Sequence, residues 1–279
     1  MARNDENIFA EERKQMIVEL VNRQVKATVA SLCEEFGVSP ATVRNDLREL
    51  EFAGLLKRTH GGAIRNKKTS YEKIYEERLV YRKEEKHAIG KAAAAMVQEG
   101  DTIIMDTGTT TLEMARFLAD VRNLTIVTND LMIASYINRN TSADLLVVGG
   151  FLRKHFNCFC GPLTVSALEG LSVDKAFISS DGVSIEKGIT TPNVDISMVR
   201  RAFLDRADEK ILLADHSKFG KTTFVKCADL NEIDVIVTDE KADKKYLERI
   251  REEGLEVEIA KLPRQKEKEP TKEVLEKEK

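Results

Sequence analysis

The sequence predicts a two-part chain: an N-terminal winged helix-turn-helix domain, followed by a larger α/β domain with a mostly parallel sheet. Three short segments of helical periodicity with start and stop signals occupy residues 11–54, and a hairpin pattern follows them. From Gly100 onward, apolar strands alternate with helical segments. A chain of 279 residues with 42% hydrophobic content can bury two cores.

Residues 11–24 place Met16, Ile17, Leu20 and Val21 at helical spacing and read as an amphipathic helix. Thr28 can cap a second helix with Val29, Leu32, Cys33 and Phe36 on one face, and Gly37 stops it. Ser39 caps a third helix. Pro40 sits at its first position, where a missing N–H costs nothing, and Val43, Leu47 and Leu50 form its buried stripe, with Gly54 as its close. The run LLKRTHGGAIR reads as a small β-hairpin around His60-Gly61-Gly62. The expected boundaries are 1–65 for this domain, 66–86 for a charged linker that becomes a helix, 87–260 for the α/β domain, and 261–279 for a charged, disordered tail.

A net charge of −3 gives no global attraction to nucleic acid. Locally, however, Arg44, Arg48, Lys57, Arg58, Arg65, Lys67 and Lys68 face only Asp46, Glu49 and Glu51. With its stripe facing inward, the third helix turns Thr42, Asn45, Arg48 and Glu49 outward, with Arg44 at the flank. The second helix of such a motif enters the major groove, where Asn can pair with adenine and Arg with guanine. Ser39 and Thr42 suit phosphate contact, and Lys57, Arg58 and Arg65 would set the wing against the backbone or minor groove. A three-helix interaction module with a solvated charged face would show the same composition.

In open α/β sheets, ligands bind beyond the carboxyl ends of the strands. Strand TIIM ends in Asp106, followed by Thr107, Gly108, Thr109, Thr110, Thr111 and a helix. Free N–H groups, a glycine and threonine hydroxyls describe a phosphate cradle, though a capped helix start reads equally well. Asn129, Asp130, Asp181, Asp215 and Lys218 lie at other strand ends and make a polyol-phosphate site plausible, with caps, turns and a solvated charge as the alternative reading. The start of the chain lacks a leader pattern and no segment is long and apolar enough to span a membrane, so the expected location is the cytoplasm. Cys33, Cys158, Cys160 and Cys227 contain no CxxC pair; with His155 they read as structural thiols rather than a metal site, and no cofactor is implied.

The segment VSPATVRNDLRELEFAGLLKRTHGGA resembles the start of the DeoR-type family of bacterial transcriptional regulators. The later motifs DTGTTT, TND, VVGG, GP, AFISSDG, G.TTPN and ADHSKFG resemble the sensor domain of the same family, so the likeness covers roughly residues 11–260. The resemblance implies a sensor of the ribose 5-phosphate isomerase and CoA-transferase type. It also implies a homo-oligomeric repressor of carbohydrate genes that binds a double-stranded operator, is relieved by a phosphorylated sugar or related intermediate, and is not an enzyme. It places Asp106, Gly108, Thr109, Thr110, Thr111, Asp181 and Lys218 near the effector. Asn45 stands where the family commonly has Arg, and Ser179 where many relatives have Gly. The alternative, a sugar-phosphate isomerase-like enzyme with an appended DNA- or protein-binding module, leaves the basic helix and wing without a use.

Overall fold

A computed structural model describes residues 10–52, 55–65 and 72–263, apart from the side chains of Glu11, Glu19, Asn22, Arg23 and Arg65. The chain divides into two compact units, Met1–Tyr71 and Glu72–Lys279. Residues 66–71, the closing Gly54 and the tail from 264 onward lie outside the described residues.

The first unit contains α1 (Ala10–Gln24), β1 (Lys26–Thr28), α2 (Val29–Phe36), α3 (Pro40–Phe52), β2 (Leu56–Thr59) and β3 (Gly62–Arg65). Thr28 caps α2 by accepting from the Ser31 N–H, and Gly37 ends it in the left-handed conformation at φ 65°. The Ser39 hydroxyl accepts from the Thr42 N–H at 3.1 Å and so opens α3. Ile17, Val18, Leu20 and Val21 of α1 pack with Leu32, Val43, Leu47 and Leu50 in one core. Met16, grouped with that stripe by periodicity, is instead exposed, and Val18 takes the buried place. The expected hairpin, β2-β3, is joined by β1 in a three-stranded sheet ordered β1-β3-β2, with β3 at its centre. A Cβ on Gly62 would lie 2.0 Å from the Ala27 carbonyl oxygen, so only glycine allows β1 to close on β3 there.

The second unit opens with α4 (Tyr75–Val80) and α5 (Lys83–Ala94), so residues expected to be linker belong to the sensor. Then follow β4 (Thr102–Met105), α6 (Thr109–Ala115), β5 (Thr125–Thr128), α7 (Leu131–Asn140), β6 (Asp144–Val147), β7 (Phe151–Arg153), β8 (Cys158–Cys160) and α8 (Pro162–Ser166). The chain continues with β9 (Val173–Ser179), β10 (Gly182–Ser184), β11 (Gly188–Thr191), α9 (Val194–Leu204), β12 (Ala207–Leu213), β13 (Val225–Ala228), β14 (Val235–Asp239), α10 (Lys244–Glu252) and β15 (Glu256–Ala260).

Seven of these strands form one sheet ordered β15-β14-β12-β9-β4-β5-β6, and every pairing within it is parallel. Alternation along the strands divides the core in two. Ile103, Met105, Phe177, Ile211 and Val237 face Ala88, Ile89, Met114 and Ile137 of α5 to α7. Ile104, Ala176, Ile178, Leu212 and Ile236 face Val199, Phe203, Leu247 and Ile250 of α9 and α10. This three-layer order aligns the carboxyl ends of β4, β9, β12 and β14. A separate antiparallel sheet, β10-β11-β13, and the β7-β8 hairpin complete the unit.

Candidate functional site

In the reader, a buried ion pair fixes the rotation of α3. Arg13 of α1 meets Asp46 with Nε–Oδ2 at 2.7 Å and Nη2–Oδ1 at 3.1 Å, a bidentate contact beneath the helix. The next residue, Lys14, reaches Glu49 Oε2 at 2.6 Å. Arg44, Asn45, Arg48 and Glu49 are left exposed on the opposite side, and Thr42 is half-buried. The Ser39 and Thr42 hydroxyls lie 2.9 Å apart, bonded to each other. Lys57 is exposed on the wing. Arg58 is exposed as well but pinned to Glu51, with its Nε 2.9 Å from Oε2. The Arg65 side chain lies outside the described residues. A cleft of about 510 Å³ between α3 and the wing is lined by Arg44, Glu51, Arg58 and His60 among others. The arrangement presents a row of hydrogen-bonding and cationic side chains on one convex helix, as groove reading requires.

In the sensor, the loop after β4 is held mostly by its own contacts. The Thr111 hydroxyl donates to the Gly108 carbonyl at 2.8 Å, and the Thr107 hydroxyl to Asp130 at 2.7 Å. Thr109 and Thr110 are buried and make no side-chain hydrogen bond among the described residues. A Cβ on Gly108 would lie 3.0 Å from Ser179 Oγ and 3.2 Å from Thr111 Oγ1. Gly108 is thus already required by the packing of its own loop on β9. Asp106 is fully enclosed. Its Oδ2 accepts from the Ser179 N–H, the Ser179 hydroxyl and Arg200 Nε at 3.1, 3.1 and 2.8 Å, and Oδ1 is buried without a partner. Its placement makes it an anchor for Arg200, where sequence reading expected a ligand contact.

Arg200 of α9 was not a sequence candidate. It also reaches Asp181 at 3.4 Å, with the side chain of Asp181 itself 4.0 Å from Arg78. Burial opposes the charge of Arg200, but Asp106 and Asp181 outweigh it and hold the guanidinium protonated. Burial likewise opposes the charge of Asp181, yet Arg78 and Arg200 keep it well below the usual carboxylate range. Asp215 caps the turn His216–Lys218 through the Ser217 N–H. Lys218 and Arg82 help hold it, against burial, at about 2.

The segment read from sequence as a linker supplies the rest of the site. Glu72 binds Arg78 at 2.7 Å and Arg153 at 2.8 Å. Arg82, in the left-handed conformation at φ 54°, lies 3.6 Å from Asp215 and against His216. The ammonium of Lys73 sits 3.4 Å over the Tyr81 ring, and buried Lys86 donates to the Arg78 carbonyl. Among the described residues no carboxylate lies within 4.0 Å of Lys73, Lys86 or Lys218. Burial and then the charge of Lys218 push both Lys73 and Lys86 down to about 7. Three lysines without a carboxylate in direct contact therefore stand among the paired arginines of this unit, an arrangement chemically suited to an anion. Arg78 and Lys86 lie in the charged helices α4 and α5, with Lys73 and Arg82 just outside them, and charges in such segments are solvated by default. The available signal was the recurrence of basic residues at 73, 78, 82 and 86.

Among the described residues no helix is long and apolar enough to cross a membrane, and no group of His, Cys, Asp and Glu could hold a metal ion. Cys158 is buried, and burial raises its thiol to about 12.

Comparison with known proteins agrees with both halves. The family described as "DeoR-like helix-turn-helix domain" matches residues 13–69, and "DeoR C terminal sensor domain" matches residues 81–240. The chain is 37% identical to the HTH-type transcriptional regulator GlpR of Haloferax volcanii, over 88% of this chain and 96% of that relative. It is 38% identical to the transcriptional repressor AccR of Agrobacterium fabrum, over 82% and 89% of the two chains. Among solved structures, a ribose 5-phosphate isomerase A from Methanocaldococcus jannaschii aligns with 48% of this chain and 53% of its own, at 18% identity and a TM-score of 0.37.

Proposed function

This chain belongs to the DeoR family of DNA-binding transcriptional regulators, and on that premise we propose that it is a cytoplasmic repressor of carbohydrate genes, released from its operator by a phosphorylated sugar or related intermediate. The observation that carries the reading is the trio Lys73, Lys86 and Lys218, which have no carboxylate within 4.0 Å among the described residues. Thr109, Thr110 and Asp181 stand at the same end of the sheet to meet hydroxyls. Lys86 is buried and Lys73 and Lys218 are half-buried, and cations so placed with no carboxylate in direct contact gain from an anion that completes them. Asp106 and Gly108 support the site from beneath, as do Thr111 and Arg200. The effector acts by preferring one arrangement of the regulator over another, since only differential affinity shifts such an equilibrium. Ser39, Thr42, Arg44, Asn45, Arg48, Lys57, Arg58 and Arg65 contact the operator. The protein works as a homo-oligomer, because one reader of this size makes too few base contacts for useful specificity.

A thermal-shift series on the full chain tests the ligand class. Glucose 6-phosphate, fructose 1-phosphate and glycerol 3-phosphate are compared with the same polyols lacking phosphate. At least one phosphorylated compound should raise the unfolding temperature by several degrees while its parent polyol does not, because a ligand of the native state adds to its stability. Equal shifts for a phosphorylated compound and its parent would remove the phosphate from the reading.

A further inference from the structure

On the outer face of α3, Asn45 and Glu49 are one turn apart, and the Asn45 amide nitrogen donates to Glu49 Oε1 at 2.7 Å. The other carboxylate oxygen of Glu49 is taken by Lys14 of α1 at 2.6 Å. Lys14 is well covered, with a side chain 17% exposed, and it follows Arg13, whose buried pair with Asp46 fixes the two helices against each other. The carboxylate of Glu49 is therefore engaged at both ends. Lys14 and then Asn45 hold it below the usual carboxylate range.

We propose that Glu49, anchored by Lys14, locks the Asn45 amide in the orientation that pairs with adenine and rejects guanine, so that a contact from α1 sets one base of the operator. This rests on α3 being the helix that enters the major groove. With one N–H committed to Glu49, the amide has one N–H and the carbonyl oxygen left to present. Adenine offers the complement, an N6 donor beside the N7 acceptor, whereas guanine offers two acceptors, O6 and N7. An unrestrained asparagine could adjust towards guanine by turning its amino group outward; here that turn breaks the bond to Glu49. The small exposed residue Ala41, one turn earlier on the helix, leaves the approach to Asn45 open. Each oxygen of Glu49 already accepts one hydrogen bond, from Asn45 or from Lys14. Its role is that of a positioning residue.

The test is selection from a random duplex library by the full chain, followed by anisotropy titrations of the selected duplex and its single-base variants at fixed salt. The wild type should require adenine at one position of each half-site, with about a tenfold or greater loss when guanine replaces it. Asn45→Ala should flatten the preference at that position and leave the others in place. Asn45→Arg should shift it to guanine. Glu49→Ala and Lys14→Met should still bind, but with discrimination between adenine and guanine reduced several-fold at that position. A merely structural role for these residues would change affinity for all sequences together and would not alter one base preference. Unchanged preferences in Asn45→Ala overturn the proposal. So does unchanged discrimination in both Glu49→Ala and Lys14→Met, which would mean that Asn45 reads without the lock. Failure of the wild type to enrich any sequence overturns the assignment of α3 as reader and the proposal with it.

Discussion

Replacing Arg200 with methionine is expected to destabilise the sensor by about 3–5 kcal/mol, because the substitution leaves a buried carboxylate without its cation. The Arg200 side chain is 2% exposed and that of Asp106 0%, and neither can recover by turning to water. Arg200 also donates to the Ser179 hydroxyl at 3.0 Å, so the loop after β4 and the end of β9 lose a shared tie. Urea unfolding of the full chain, followed by circular dichroism, should show a lower midpoint for Arg200→Met. The double variant Arg200→Met, Asp106→Leu should recover much of the loss, since an apolar pair can replace an ionic one more cheaply than either partner can stand alone. An unchanged midpoint in Arg200→Met would show that the pair does not hold the loop.

The second large effect is on pH. Lys73 and Lys86 sit at about 7 in the folded, ligand-free protein, against an ordinary lysine value of 10.5. Lys73 is faced by Lys218, Lys221 and Arg82, with Glu77 as its opposing charge. Lys86 is faced by Lys218 and Arg78, with Asp215 and Glu113 opposing. Between pH 7 and 10.5 the unfolded chain binds more protons at these two positions than the folded one, so their contribution to stability rises with pH. Below about pH 7 they are protonated in both states, and the cost of burying their charge is fully present. A phosphate dianion reverses the preference, since it favours the charged lysines and raises their pKa. Binding above pH 7 therefore takes up protons, and effector affinity should fall at least tenfold between pH 7 and 9. Calorimetry with the strongest compound of the thermal-shift series measures the affinity, and repetition in buffers of different ionisation enthalpy counts the protons. Affinity that is flat across this range, with no proton uptake, would contradict the account of the lysines.

Much of the reader was legible in the sequence because its signals are local. The Thr28 and Ser39 caps, the left-handed Gly37 and the stripe of Val43, Leu47 and Leu50 each act within one or two turns. The parallel sheet was legible for a similar reason, since strands such as Thr102–Met105 and Val235–Asp239 are short apolar runs between helical segments. Strands built from GVS, GITT and VKCA carry no such signal; they exist because their neighbours pair with them. The site was half legible. Strand-end residues announce themselves by position in a βα unit, which drew attention to Asp106, the threonine loop, Asp181 and Lys218. Arg200 and Asp106 are 94 residues apart, Arg13 and Asp46 are 33 apart, and no periodicity links such partners. The fold alone brings them together. Arg78, Arg82 and Lys86 were visible as charges, but only the fold shows that they turn inward, towards Asp181, Asp215 and the Arg78 carbonyl.

In the proposed function, a phosphorylated effector bound among these lysines controls attachment to the operator. Its most direct test is an operator-release titration at fixed salt and pH 7, with the full chain, the duplex obtained by selection, and increasing concentrations of the strongest sugar phosphate. The wild type should release the duplex over the concentration range in which it binds the effector. Lys86→Met should hold the same duplex with unchanged affinity but need at least tenfold more effector to let go. Release of Lys86→Met at the wild-type concentration, or no release of the wild type by any compound that binds it, would contradict the account.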